Sequence, residues 1–233
     1  MPIKSDIPIV CYVTRRLSLH AADPARALAG KIRASISAGA DWVQIREKDM
    51  PGKELLSVVR EAVRDAAGQG RAAKPQAPES AAKIIVNDRL DVAMAAGAAG
   101  VHLGGESLPV RETNRWRGAG NAPGDFLIGA SCHGLADSRE AESSGADYIF
   151  FGPVFETPDK LKFGPPQGLE KLGEICGAVK IPVIAIGGVN ETNAEACLRA
   201  GAAGVAAIRM FQEARSENEL RETLARLRDF RRK

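Results

Sequence analysis

One phrase recurs four times along the chain, a Gly-Ala pair followed by a β-rich apolar run. It reads AGADWVQIR (38–46), AGAAGVHLG (96–104), SGADYIFFG (144–152) and AGAAGVAAI (200–208). Glycine reaches left-handed backbone cheaply, so Gly39, Gly97, Gly145 and Gly201 read as the residues that end helices and release the chain into strands. They lie 58, 48 and 56 residues apart, which leaves room for two βα units in each interval. Four more apolar runs fall between the phrases: IPIVCYVTR (7–15), AKIIVND (82–88), DFLIGASCH (125–133) and IPVIAIGGV (181–189). Near-continuous Val/Ile/Ala runs suit strands covered on both faces, and amphipathic stretches such as 53–68 alternate with them. Eight strands and eight helices in 233 residues predict a single α/β domain over 1–233, a parallel eight-stranded (β/α)8 TIM barrel rather than an open doubly wound sheet.

Composition narrows the partners. With 45% hydrophobic and 26% charged residues the chain has material for a core and a hydrated surface. A net charge of +3 and only 5% aromatics argue against nucleic acid. The basic cluster Arg226, Arg228, Arg231, Arg232 and Lys233 reads as a solvated helix end. Cys11, Cys132, Cys176 and Cys197 form no C-x-x-C pair, and no run approaches the ~18 apolar residues of a membrane span. A cytoplasmic protein with neither membrane nor nucleic-acid partner is expected, its oligomeric state open. Two breaker-rich connections stand out: 68–82 as a surface insertion, and 156–168, directly after the sixth strand, as an active-site lid.

In this fold chemistry gathers at strand C-termini, and there the apolar pattern stops. The ends read Gln44 to Lys48, Asn87 to Arg89, His102 to Glu106, Ser131 to His133, Thr157 to Lys160, and Gly187-Gly188. A strand has a side-chain period of two, so Gln44, Arg46 and Lys48 are expected to share one inward face. Two cations and an amide turned inward call for an anion, and a diphosphate fits. Asp88 is then placed to hold Mg2+ against it, because that ion favours few carboxylates plus phosphate oxygens. Gly187-Gly188 after strand seven, with Ile208-Arg209 after strand eight, match the usual monophosphate site of backbone N–H groups in such barrels, Arg209 adding a cation.

The motifs QIREKDM (44–50), VNDR (86–89), GVHLGGES (100–107), IGASCH (128–133), FGPVFETPDK (151–160) and AIGGV (185–189) together resemble the thiamine phosphate synthase family and its relative, the thiazole tautomerase. The resemblance runs over nearly the whole chain and itself implies a barrel. It implies a transferase of thiamine biosynthesis that joins 4-amino-2-methyl-5-hydroxymethylpyrimidine diphosphate to thiazole phosphate and releases diphosphate. On that pattern Gln44, Arg46, Lys48, Asn87 and Lys160 contact the pyrimidine diphosphate, Asp88 holds magnesium and Ser131 lies near the pyrimidine. Gly188 and Ile208 offer backbone to the thiazole phosphate, and Thr157 helps position it.

Three positions depart from the family pattern. Ser107 stands where a second magnesium carboxylate is usual, with Glu106 beside it as a weaker candidate; Asp159 replaces a lid threonine; and Arg209 replaces a serine. These departures keep a tautomerase reading open, in which His133 is the general acid/base and no metal is needed. An inactive protein that binds a thiamine precursor is the third reading.

Overall fold

The computed structural model describes residues 7–69, 81–157 and 165–230. Eight parallel strands run in chain order: β1 (Ile9–Val13), β2 (Trp42–Ile45), β3 (Lys83–Asn87), β4 (Gly100–Leu103), β5 (Leu127–Cys132), β6 (Tyr148–Phe151), β7 (Val183–Ile186) and β8 (Gly204–Ala207). They close into a barrel in which β8 pairs back onto β1, with Ile9 opposite Gly204 and Cys11 opposite Ala206. Each strand lies inside an apolar run expected from the sequence. The helices on the outside are α1 (Pro24–Ala38), α2 (Gly52–Gln69), α3 (Leu90–Ala96), α4 (Val110–Trp116), α5 (Leu135–Ser143), α6 (Gly168–Ala178), α7 (Ala194–Arg199), α8 (Arg209–Gln212) and α9 (Glu217–Arg228).

The four recurring glycines do what their phrase predicts. Gly39, Gly97, Gly145 and Gly201 all have positive φ, between 68° and 103°, where an L side chain is strained. The Asp of the Gly-Ala-Asp version has a second role. Asp41 accepts the Val10 N–H at 2.8 Å and Arg228 at 2.7 Å, and Asp147 accepts the Ile128 N–H at 2.7 Å and Arg117 at 2.5 Å. Arg228, at the end of the last helix α9, and Arg117, directly after α4, thus tie strand N-termini together at the end of the barrel away from the chemistry. Arg228 therefore differs from the solvated cation expected of it; Arg226 is exposed and 3.8 Å from Glu191, and 231–233 lie outside the described residues.

Side chains turned into the barrel alternate large and small. Trp42, Tyr148 and Phe150 fill the interior, with Trp42 and Tyr148 edge to face at 4.7 Å. Gly129, on the neighbouring β5, makes room for the phenol: a Cβ there would fall 2.1 Å from Tyr148 Cζ. The barrel is packed below and opens only at the strand C-termini. Of the two breaker-rich connections, residues 70–80 and 158–164, and with them Asp159 and Lys160, lie outside the described residues. No helix among the described residues is long and apolar enough to cross a membrane.

Candidate active site

The last inward residues of neighbouring strands are polar: Gln44 on β2, Asn87 on β3, His102 on β4 and Ser131 on β5. Gln44 is 2% exposed and donates through Nε2 to Asn87 Oδ1 at 2.7 Å, while its Oε1 is buried with no partner among the described residues. A buried carbonyl without a donor is costly, so Gln44 Oε1 is an acceptor that the described residues leave unsatisfied beside Asn87. Above this floor lies a cleft of about 900 Å3, lined by Arg46, Lys48, Asn87, Asp88, Gly104, Glu106, Ser107, His133, Pro153 and Gln167 among others. Of these, the sequence placed Arg46, Lys48, Asn87, Asp88, Gly104, Glu106 and His133 at one rim, and the fold gathers them.

The expected inward row of Gln44, Arg46 and Lys48 stops at Gln44. β2 ends at Ile45, so Arg46 and Lys48 do not continue its inward face; they stand on the loop that follows. Loop geometry reverses the burial pattern there. The Lys48 side chain is 55% exposed, whereas Glu47 between the two cations is 5% exposed. The Glu47 carboxylate accepts Thr14 Oγ1 at 2.7 Å, the Arg16 N–H at 3.0 and 3.1 Å, and Arg16 Nη1 at 3.0 Å. Thr14 Oγ1 in turn accepts the Arg46 N–H at 2.9 Å. The loop carrying both cations is therefore clamped to the end of β1, and Glu47 belongs to the support of the site rather than to a surface ion pair.

Asp88 occupies left-handed backbone at φ 62°, unusual for a non-glycine residue and found where surrounding structure imposes it. Its Oδ1 accepts the Gly104 N–H at 3.2 Å and the Ser107 hydroxyl, and its Oδ2 accepts Asn87 Nδ2 at 2.6 Å and lies 3.6 Å from Lys48 Nζ. Burial raises the Asp88 pKa, but the Ser107 and Gly104 hydrogen bonds and nearby Lys48 outweigh that, leaving the carboxyl below its ordinary value. An ionised carboxylate facing the cleft suits a hard cation shared with phosphate oxygens. The fit is to one carboxylate only. Ser107 is spent as a donor to Asp88, Glu106 is exposed on the cleft wall, and no cluster of three His/Cys/Asp/Glu ligands exists among the described residues.

At the far side of the mouth Gly187 and Gly188 take φ of 95° and 67°. Their tightest neighbours are protein: added Cβ atoms would lie 2.5 Å from Pro153 and 2.6 Å from the Glu156 carbonyl. The Val154 N–H donates to the Ile186 carbonyl and the Phe155 N–H to that of Gly187, both at 2.9 Å. These glycines thus admit the segment after β6 as well as leaving backbone at the mouth. Thr157 closes that segment with Oγ1 buried and without a partner among the described residues. Ile208 precedes α8, and Arg209 at its first position is exposed. His133 lines the cleft, its Nδ1 bonded to the Gly152 carbonyl. A carbonyl only accepts, so Nδ1 carries the proton and Nε2 is the basic nitrogen.

A model of the thiamine monophosphate synthase family matches residues 17–211. The chain belongs to that family. It is 44% identical over 179 residues to the thiamine-phosphate synthase of Methanoculleus marisnigri, covering 76% of each chain. The thiamine-phosphate synthase of Moorella thermoacetica is 37% identical over 201 residues, 84% of this chain and 88% of that one. Among solved structures, the thiamine phosphate pyrophosphorylase of Pyrococcus furiosus superposes with a TM-score of 0.75 at 30% identity, covering 95% of this chain and 97% of that one.

Of three residues that the structure puts under the site of this family member, Glu47 and His102 stand in the polar strand ends of the sequence without a role assigned to them, and Thr14 is not singled out there. Glu47 and Thr14 gave no local signal, since their contact crosses from β1 to the loop after β2. His102 did give one: it has the same inward parity on its strand that singles out Gln44 and Asn87. It is 1% exposed, and burial pushes its pKa down to about 3, so it is a neutral imidazole in the barrel interior.

Proposed function

We propose that this chain is a thiamine-phosphate synthase, joining the pyrimidine diphosphate to thiazole phosphate with release of diphosphate. The observation that carries the reading is the meeting of Lys48, Arg46, Asn87 and Asp88 in one cleft, with Asn87 bonded to a buried Gln44 whose Oε1 lacks a donor among the described residues. That orphan acceptor suits the exocyclic amine of an aminopyrimidine. Arg46 and Lys48 supply positive charge for the diphosphate, and Lys160 in the following connection is the further cation the resemblance assigns. The C–O bond to the diphosphate breaks with its electron pair leaving on oxygen, and the thiazole nitrogen lone pair forms the new C–N bond at that carbon. Cations preorganised around the departing group are stronger stabilisers of it than water, because they need no reorientation as charge develops. Asp88 is the residue that would hold a magnesium ion, which when bound neutralises diphosphate charge. Gly187, Gly188, Ile208, Arg209 and Thr157 are assigned to the thiazole phosphate. The cytoplasm is the compartment this reading favours, in keeping with four cysteines that form no disulfide.

A second reading, thiazole tautomerase, draws on His133, whose Nε2 is the basic nitrogen and whose ring lines the same cleft. The assay that separates them incubates the protein with both phosphorylated substrates and magnesium and measures thiamine phosphate and diphosphate. Equal amounts of both products are expected. Interconversion of carboxythiazole phosphate tautomers that His133→Ala abolishes, with no thiamine phosphate formed, would overturn the synthase reading in favour of the tautomerase. Tight binding of the thiazole phosphate with neither turnover would leave a binding protein.

A further inference from the structure

The His102 ring lies between Phe150 and Tyr148, with centroids 4.3 and 5.6 Å away. Its Nδ1 is 3.3 Å from the Tyr148 hydroxyl and its Nε2 2.9 Å from Ser131 Oγ. A neutral imidazole has one N–H to share between these two contacts. Tyr148 is fully buried and, with burial raising its pKa well above the ordinary value, keeps its phenol proton. That proton has one acceptor within hydrogen-bond reach among the described residues, His102 Nδ1. If Nδ1 instead carried the imidazole proton, the phenol hydrogen would be buried with nothing to accept it, an arrangement folded proteins avoid.

We infer that His102 is a positioning residue, held by Tyr148 in the Nε2–H form, that donates to Ser131 Oγ and so turns the Ser131 proton toward the cleft as a hydrogen-bond donor. Ser131 Oγ has no other hydrogen-bond partner among the described residues, and the residue is partly exposed at the mouth end of β5. The hydroxyl proton is therefore free for a ligand acceptor, such as a ring nitrogen or a phosphate oxygen. Naming that atom a pyrimidine ring nitrogen rests on the proposed function, whereas the proton chain from Tyr148 through His102 to Ser131 does not. The relay is a specificity device two layers deep in the barrel, set by groups that never touch the ligand.

The test uses the whole 15N-labelled chain without ligand. Long-range 1H–15N correlations distinguish the imidazole tautomers, and the signal lost in His102→Gln assigns the residue among the three histidines. The Nε2–H form is expected near neutral pH, with the Nδ1–H form becoming detectable in Tyr148→Phe. If the chain is the proposed synthase, Tyr148→Phe also raises KM for the pyrimidine diphosphate roughly five- to tenfold, the share of one neutral hydrogen bond, while KM for thiazole phosphate stays within about twofold. An Nδ1–H tautomer in the unsubstituted protein overturns the inference whatever the activity. An Nε2–H tautomer in a protein that makes no thiamine phosphate leaves the inference standing and removes the functional reading instead.

Discussion

Replacing Glu47 with glutamine keeps the shape of the side chain and removes its charge, so it isolates what the clamp contributes. The carboxylate serves three donors: Thr14 Oγ1, the Arg16 N–H and Arg16 Nη1. An amide has one oxygen to offer them, and its NH2 must face one of the remaining donors in either orientation. The loss is about one charge-assisted hydrogen bond, ~1.5–3 kcal/mol, with both groups shielded: the side chains are 2% and 15% exposed. Arg16 keeps its two contacts to Asp49, at 2.8 and 2.7 Å, which limits the damage. We therefore expect Glu47→Gln to lose about 2 kcal/mol in urea unfolding, or roughly 4–8 °C in Tm for a chain of this size. Arg46 hangs from the same clamp through Thr14, so calorimetric binding of inorganic diphosphate should weaken about tenfold. Unfolding and diphosphate affinity both within about 0.5 kcal/mol of the unsubstituted protein would refute the clamp.

Three further outcomes follow from the same geometry. His102 stays neutral when buried, with a folded pKa near 3 against an ordinary 6.5, so its contribution to stability is complete above about pH 6.5 and lost as pH falls toward 3. Near pH 5 the loss is about 2 kcal/mol, read as a steeper pH dependence of urea unfolding than that of His102→Gln; parallel slopes would contradict it. Gly129→Ala would put a methyl 2.1 Å from the fully buried Tyr148 ring and is expected to cost about 3 kcal/mol, so a denaturant midpoint close to that of the unsubstituted protein would count against the packed barrel interior. With Asp88 holding magnesium as proposed, Asp88→Asn should raise the magnesium concentration needed for half-maximal synthesis at least about tenfold, and Ser107→Asp should leave it equal or lower; an unchanged requirement in Asp88→Asn would remove Asp88 from the metal.

The barrel was legible in the chain because its determinants are local. A glycine that must take positive φ, a run of β-branched residues and an amphipathic stretch each act within a dozen residues, and eight such cycles leave little choice but closure. The polar rim was legible for a related reason: Gln44, Asn87, Asp88 and Ser131 interrupt apolar strands at the one end where a TIM barrel is open. Three-dimensional contact alone decided the rest. Strand parity carried Arg46 and Lys48 inward, but β2 ends at Ile45, and the Glu47 carboxylate between them was drawn beneath the loop by donors just after β1. Gly187 and Gly188 were read for an anion, yet the backbone of 153–156 fills the space their missing side chains leave. Periodicity specifies which way a residue faces while its strand lasts; which partner waits there depends on segments dozens of residues away, and hydrogen-bond satisfaction, having no period, could be settled only once the barrel had closed.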